Sequence, residues 1–108
     1  MARLTEPLEG MRRHSEPALL VLVSLADKPR HGYSILADIE RLSGTRLGPG
    51  TLYGAIARLE QRGFIEPLES SDRRKPYRLT EPGERALRTQ LAAMKAVVGE
   101  GLRRIATA

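Results

Sequence analysis

Arg58 and Gln61 stand three residues apart in a segment with helical apolar spacing, and Arg73-Arg74-Lys75 follow in a polar turn. These residue types suit polyanions. A guanidinium can donate to both acceptors on the major-groove edge of guanine, and glutamine pairs in the same way with adenine. Three adjacent cations neutralise phosphates and lend binding its salt dependence. Around Arg58 and Gln61, the small residues Gly54 and Ala57 would let a helix come close to base edges or phosphates, and Thr51 and Tyr53 add hydroxyls. Each residue also has a plain structural reading. Tyr53 could be a half-buried packing residue, Arg58 could meet only phosphate or solvent, and a charged turn tip is a solvated loop in most proteins.

No catalytic constellation accompanies these groups. Serines at 15, 24, 34, 43, 70 and 71 show no strand-to-helix elbow and no histidine set against them. Glycines at 44, 48, 50 and 54 form no phosphate-binding loop with a lysine. The two histidines, His14 and His31, have no cysteine and no carboxylate pair with which to hold a metal. With no cysteine in the chain, disulfides, iron–sulfur clusters and thiol nucleophiles are excluded, and a cytoplasmic setting is expected. No catalytic residue, metal or cofactor is therefore assigned.

The elements that would position the candidate residues follow from punctuation and period. Ser15-Glu16-Pro17 is a helix start that leads into an apolar segment, Ala18 to Leu25, expected to be a buried helix. Asp27 to Gly32 reads as a turn. A second helix from Tyr33 carries Ile35, Leu36, Ile39 and Leu42 on one face and stops at Ser43-Gly44. A third begins at Pro49, with Leu52, Ala55, Ile56 and Leu59 in one apolar arc and Gly50, Gly54, Ala57, Arg58 and Gln61 on the opposite side. Phe64 to Leu68 and Pro76 to Leu79 are short enough for a two-stranded hairpin around the basic turn. Thr80 caps a last helix with Pro82 in its first turn. Along it Leu87, Leu91, Met94, Val98, Leu102 and Ile105 recur at spacings of three and four, which suits either a lid on its own domain or a dimer seam; so long a helix would bury only its first turns on this small core, and the seam is therefore expected.

This order of elements is the sequence form of a winged helix. His31-Gly32-Tyr33, Gly50-Thr51-Leu52-Tyr53, Leu59-Glu60-Gln61-Arg62-Gly63 and Tyr77-Arg78-Leu79-Thr80 with Gly83 beyond it resemble the PadR family of bacterial transcriptional regulators. The resemblance implies an α+β, mainly helical fold: a winged helix-turn-helix domain over residues 15–80 and a C-terminal dimerisation helix over 81–108, as in the family's short subgroup. Residues 1–14, with Leu4, Leu8 and Met11, are expected to form an arm or short helix. It further implies a homodimeric repressor of double-stranded DNA with a near-palindromic operator; binding of a stacked flat drug is not expected, since members that stack such ligands do so on tryptophan and this chain has none. A small aromatic or cationic effector at the dimer interface stays open. In such a chain Thr51, Tyr53, Gly54, Ala57, Arg58 and Gln61 face DNA, and Arg73, Arg74 and Lys75 form the wing. Gly32 is expected to permit a backbone bend, and Gly48 replaces the hydroxyl residue usual at the reader helix cap.

Composition agrees without deciding. The 108 residues allow one domain, and 18 Lys+Arg against 13 Asp+Glu give +5. Arg12-Arg13 before the apolar run could suggest a signal segment, but Glu6, Glu9 and Glu16 stand where such a segment is basic, and the run is too short to span a bilayer. No membrane association is expected. A winged-helix module that binds protein and not DNA is the alternative from another class.

Overall fold

The computed structural model describes residues 16–108. The expected N-terminal arm with Leu4, Leu8 and Met11, and the capping Ser15, lie outside the described residues. Within them the order is α1 (Glu16–Ser24), β1 (Arg30–His31), α2 (Gly32–Ser43), α3 (Pro49–Gln61), β2 (Ile65–Pro67), β3 (Pro76–Leu79) and α4 (Glu81–Thr107). The three strands form one antiparallel sheet in the order β1-β3-β2.

The uniformly apolar sequence of α1 has a simple cause: it lies at the centre and touches α2, α3 and α4. Leu20, Val21, Leu22 and Leu25 are buried there against Ile35 and Ile39 of α2, Leu52, Ile56 and Leu59 of α3, and Ile65 of β2. One polar cluster enters this core. The Ser24 hydroxyl donates to the Asp38 carboxylate at 2.8 Å, Arg30 Nε donates to the Ser24 carbonyl at 2.9 Å, and Arg41 pairs with Asp38 from outside. A buried carboxylate needs such partners. Here they tie the end of α1 to β1 and α2, which fixes where His31 stands.

Glycine closes two of the helices. Gly44 ends α2 in the left-handed region, φ 75°, with its N–H on the Glu40 carbonyl at 2.9 Å. Gly63, φ 78°, ends α3. There the Gly63 N–H meets the Glu60 carbonyl and the Phe64 N–H meets the Leu59 carbonyl, both at 3.0 Å, a Schellman arrangement that turns the chain into β2. Since Phe64 spends its N–H on the helix, β2 begins one residue later than the alternation suggests.

Two expectations are corrected. The sheet is three-stranded, not a two-stranded hairpin, because Arg30–His31, expected as part of a turn, pairs with β3 in the register Arg30↔Tyr77 and His31↔Pro76. And Leu87, expected on the dimer seam, is 4% exposed and belongs to the domain core. The first turns of α4 lie over α1, so the residue that opens the apolar series anchors α4 to its own domain.

The α4 junction is tight. Thr80 caps the helix by accepting from the Gly83 N–H at 3.1 Å, and its hydroxyl donates to the Gly63 carbonyl at 2.6 Å. A Cβ on Gly83 would lie 2.8 Å from the Phe64 carbonyl carbon and closer still to its oxygen, so only glycine lets α4 approach this backbone. Beyond Leu87 the 27-residue helix leaves the domain, and Leu91, Met94, Val97, Val98, Leu102 and Ile105 are exposed.

Candidate nucleic-acid interface

Helix α3 divides its residues as its period requires. Leu52, Ala55, Ile56 and Leu59 are buried, while Thr51, Tyr53, Ala57, Arg58 and Gln61 are exposed and Gly54 is partly so. Gly48 caps it in extended conformation with no side-chain hydrogen bond, and Pro49 fills the first helical position. The Arg58 guanidinium lies back along the helix over Gly54, 3.7 Å from where a Cβ would stand. Arg58 and Arg62 also border a groove of about 320 Å³ whose floor includes Leu19, Leu22, Leu59 and Phe64. Arg58 thus occupies one edge of the exposed face and Gln61 its middle.

Tyr53 occupies the other edge, half exposed and half packed. It is 50% exposed, yet its phenol packs on the first residue of α2: a Cβ on Gly32 would lie 2.7 Å from Tyr53 Cζ and closer still to the hydroxyl. This corrects the role expected of Gly32. Among the described residues only Gly44 and Gly63 have positive φ, so Gly32 serves as space for Tyr53 and not as a bend.

The wing joins β2 to β3. Its tip is shaped by its own polar side chains: Ser70 Oγ accepts from the Asp72 N–H at 3.1 Å and the Asp72 carboxylate from the Arg74 N–H at 3.5 Å. Arg73, Arg74 and Lys75 are exposed and pair with no described carboxylate, whereas Arg78 at the wing's base is held by Glu66. The wing does not stand apart from α3. Arg73, Arg74 and Lys75 line one side of a cleft of about 290 Å³, and Tyr53 with the His31-Gly32-Tyr33 turn lines the other. Tyr77 contributes a phenol to the same cleft. Burial, helped by the nearby Glu60 carboxylate and Tyr53, raises its pKa above the ordinary value, so the neutral hydroxyl is favoured.

Sequence reasoning set the turn of His31 apart from the wing because β1 was not recognised. Once β1 pairs with β3, His31 lies opposite Pro76 and next in space to Lys75. His31 is also the cap of α2, its Nδ1 accepting from the Ser34 N–H at 3.2 Å. A polar residue immediately before a helical period was the available signal; the strand pairing had none, being two residues long.

A tri-helical core, a basic wing beside an exposed helix face and a long helix running beyond the domain define a winged helix-turn-helix protein. The model of the transcriptional regulator PadR-like family matches residues 21–89, and the chain belongs to that family. Its members are transcription regulators, not enzymes. The chain is 47% identical over 87 residues to an uncharacterized 37.1 kDa protein in transposon TN4556 from Streptomyces fradiae, a match covering 81% of this chain and 25% of that protein. It is 36% identical over 69 residues to the transcriptional activator GvpE1 of Halobacterium salinarum, covering 64% of this chain and 35% of the relative. The chain thus spans about a quarter to a third of these relatives' lengths. Among solved structures, a PadR family transcriptional regulator from Eggerthella lenta superposes with a TM-score of 0.73 at 28% identity, over 94% of this chain and 90% of that one. Among the described residues no helix is long and apolar enough to cross a membrane.

Proposed function

We propose that this regulator binds double-stranded DNA as a homodimer and represses transcription from a near-palindromic operator, with residues 15–80 reading DNA and 81–108 joining the protomers. One observation carries the DNA reading: Tyr53 of the reader helix and Arg73, Arg74 and Lys75 of the wing border the same cleft, so helix face and wing cations address one surface. Thr51, Tyr53, Gly54, Ala57, Arg58 and Gln61 then meet the major groove and its flanking phosphates, with Arg58 and Gln61 able to reach base edges. The wing supplies affinity that falls steeply with salt. Its exposed cations take a phosphate strand or a narrow minor groove beside the helix.

The dimer is supported by α4. Leu91, Met94, Val98, Leu102 and Ile105 fall on one stripe of a helix that none of the other described residues covers. A two-fold axis through this stripe presents two reader helices to successive major grooves, whose centres are about 34–36 Å apart. The setting is cytoplasmic. A small aromatic or cationic effector would act at the α4 interface; a thermal-shift screen with and without operator DNA detects it, and ligands that move neither stability nor affinity would leave a repressor without an effector.

The test of the whole reading is fluorescence anisotropy with DNA from the chain's own promoter region, titrated across a salt series. Tight, salt-sensitive binding to one near-palindrome with a stoichiometry of two chains is expected. Equal, weak binding to every sequence would overturn it.

A further inference from the structure

We infer that the cleft between α2 and the wing is a phosphodiester site in which His31, held as its neutral Nε2–H tautomer, donates a hydrogen bond to a DNA phosphate oxygen. This rests on the DNA reading above and extends it to a residue outside the reader helix and the wing.

Three observations combine. First, the Nδ1 of His31 accepts the Ser34 N–H at 3.2 Å, so that nitrogen carries no proton. A neutral imidazole has one N–H and one acceptor, and the bond at Nδ1 therefore assigns the hydrogen to Nε2. Second, the same bond fixes the ring: the Nδ1 edge is turned to α2, and the opposite edge is the one left for a ligand. Third, His31 lines the cleft whose other wall is Arg73, Arg74 and Lys75. The β1–β3 pairing that sets His31 opposite Pro76 makes this neighbourhood a property of the sheet. Gly32 adds no side chain, while the hydroxyls of Tyr53 and Tyr77 complete a set of donors. Glu60, whose charge acts on Tyr77, sets one negative charge against the three cations of the wing.

The donor and the cations have different tasks. Lys75 and its neighbours neutralise charge and release counterions, whereas a neutral N–H releases none. It fixes the strand's position relative to α2, as phosphate contacts do. If the ring instead bound as an imidazolium it would lose the cap on Ser34, and it would add about one unit to the salt slope for each histidine.

The experiment uses the full chain with His31→Asn. Asparagine caps helices well and offers its oxygen where Nδ1 stands, but places nothing at Nε2. We expect an unchanged melting temperature, operator affinity reduced by about tenfold, and a salt slope equal to that of the wild type. Wild-type affinity in the variant would overturn the inference, and so would a slope lower by about two per dimer, which marks a charged ring. Should the variant melt early, nitrogen-15 NMR of the wild-type histidine ring decides. A His31 Nε2 proton that shifts and slows its exchange on adding operator supports the inference, and an unaffected one ends it. A wild type that fails to select any operator would instead remove the underlying DNA reading. An Arg73→Gln, Arg74→Gln double variant, expected to lose both affinity and slope, separates the two failures.

Discussion

Val98 offers the sharpest test of the dimer. It is 58% exposed on α4 and lies on the stripe shared by Leu91, Met94, Leu102 and Ile105. Val98→Ala removes two methyl-sized groups, and alanine is the better helix former, so the helix itself gains. At about 0.8 kcal/mol per buried carbon, each side chain loses about 1.6 kcal/mol on the seam. Two-fold symmetry counts the loss twice, about 3 kcal/mol in all, which weakens dimerisation by on the order of 100-fold. Val97→Ala is the control, because Val97 is 72% exposed but lies roughly a quarter-turn from the stripe. It should change the dimer constant by less than about threefold, since rim positions that stay wet contribute little. Sedimentation velocity over a wide concentration range measures both. If the two variants dissociate equally, or Val98→Ala associates as the wild type does, the seam has been put on the wrong face of α4.

Gly83→Ala and Gly99→Ala should have opposite signs in thermal unfolding. The first drives a Cβ into the Phe64 carbonyl and should cost about 2 kcal/mol even after the gain in helix propensity; the second meets no atom within 4 Å and should stabilise by up to about 1 kcal/mol. Replacing Arg73, Arg74 and Lys75 with glutamine should lower the salt slope of operator binding by about five per dimer, six phosphate contacts at about 0.9 each; an unchanged slope would take the wing off the DNA. Gly32→Ala should displace the Tyr53 phenol and weaken operator binding while shifting the melting temperature little, because Tyr53 is half exposed and its ring can swing outward. An unfolded Gly32→Ala would show that the Tyr53 contact supports the core instead.

Much of this fold was legible because local signals and core demand agree. Pro49 and the run Leu52, Ala55, Ile56 and Leu59 place α3, Gly63 ends it, and Thr80 with Pro82 starts α4, all by chemistry confined to a few neighbouring residues. What could not be read was set by partners distant in sequence. Arg30–His31 is a strand only because β3 lies beside it and the Arg30–Ser24–Asp38 bonds hold it there. Leu87 continues the spacing of the seam, and nothing in that spacing tells that its turn of α4 still overlies α1. Gly32 looks like a turn glycine next to Pro29 and Lys28; only the fold brings Tyr53 onto it.

In the proposed dimer, the junction between α3 and α4 would give the spacing of the two half-sites a mechanical origin. Thr80 bonds the Gly63 carbonyl at 2.6 Å, its own N–H meets the Phe64 carbonyl at 3.1 Å, and Gly83 packs on that same carbonyl. The end of α3 and the start of α4 therefore move together. From Glu81 to Val98 the helix rises about 25 Å, at about 1.5 Å per residue. A rotation of roughly 10° about a seam centred there displaces the reader helix by about 4 Å, comparable to the 3.4 Å rise of one base pair. Any effector that repacks the apolar stripe of α4 by that amount would take the two readers out of register with their grooves without touching a DNA-facing residue. Loosening the junction by Thr80→Ala should accordingly broaden the range of half-site spacings bound while affinity for the best spacing falls, because the readers gain freedom that binding must then remove.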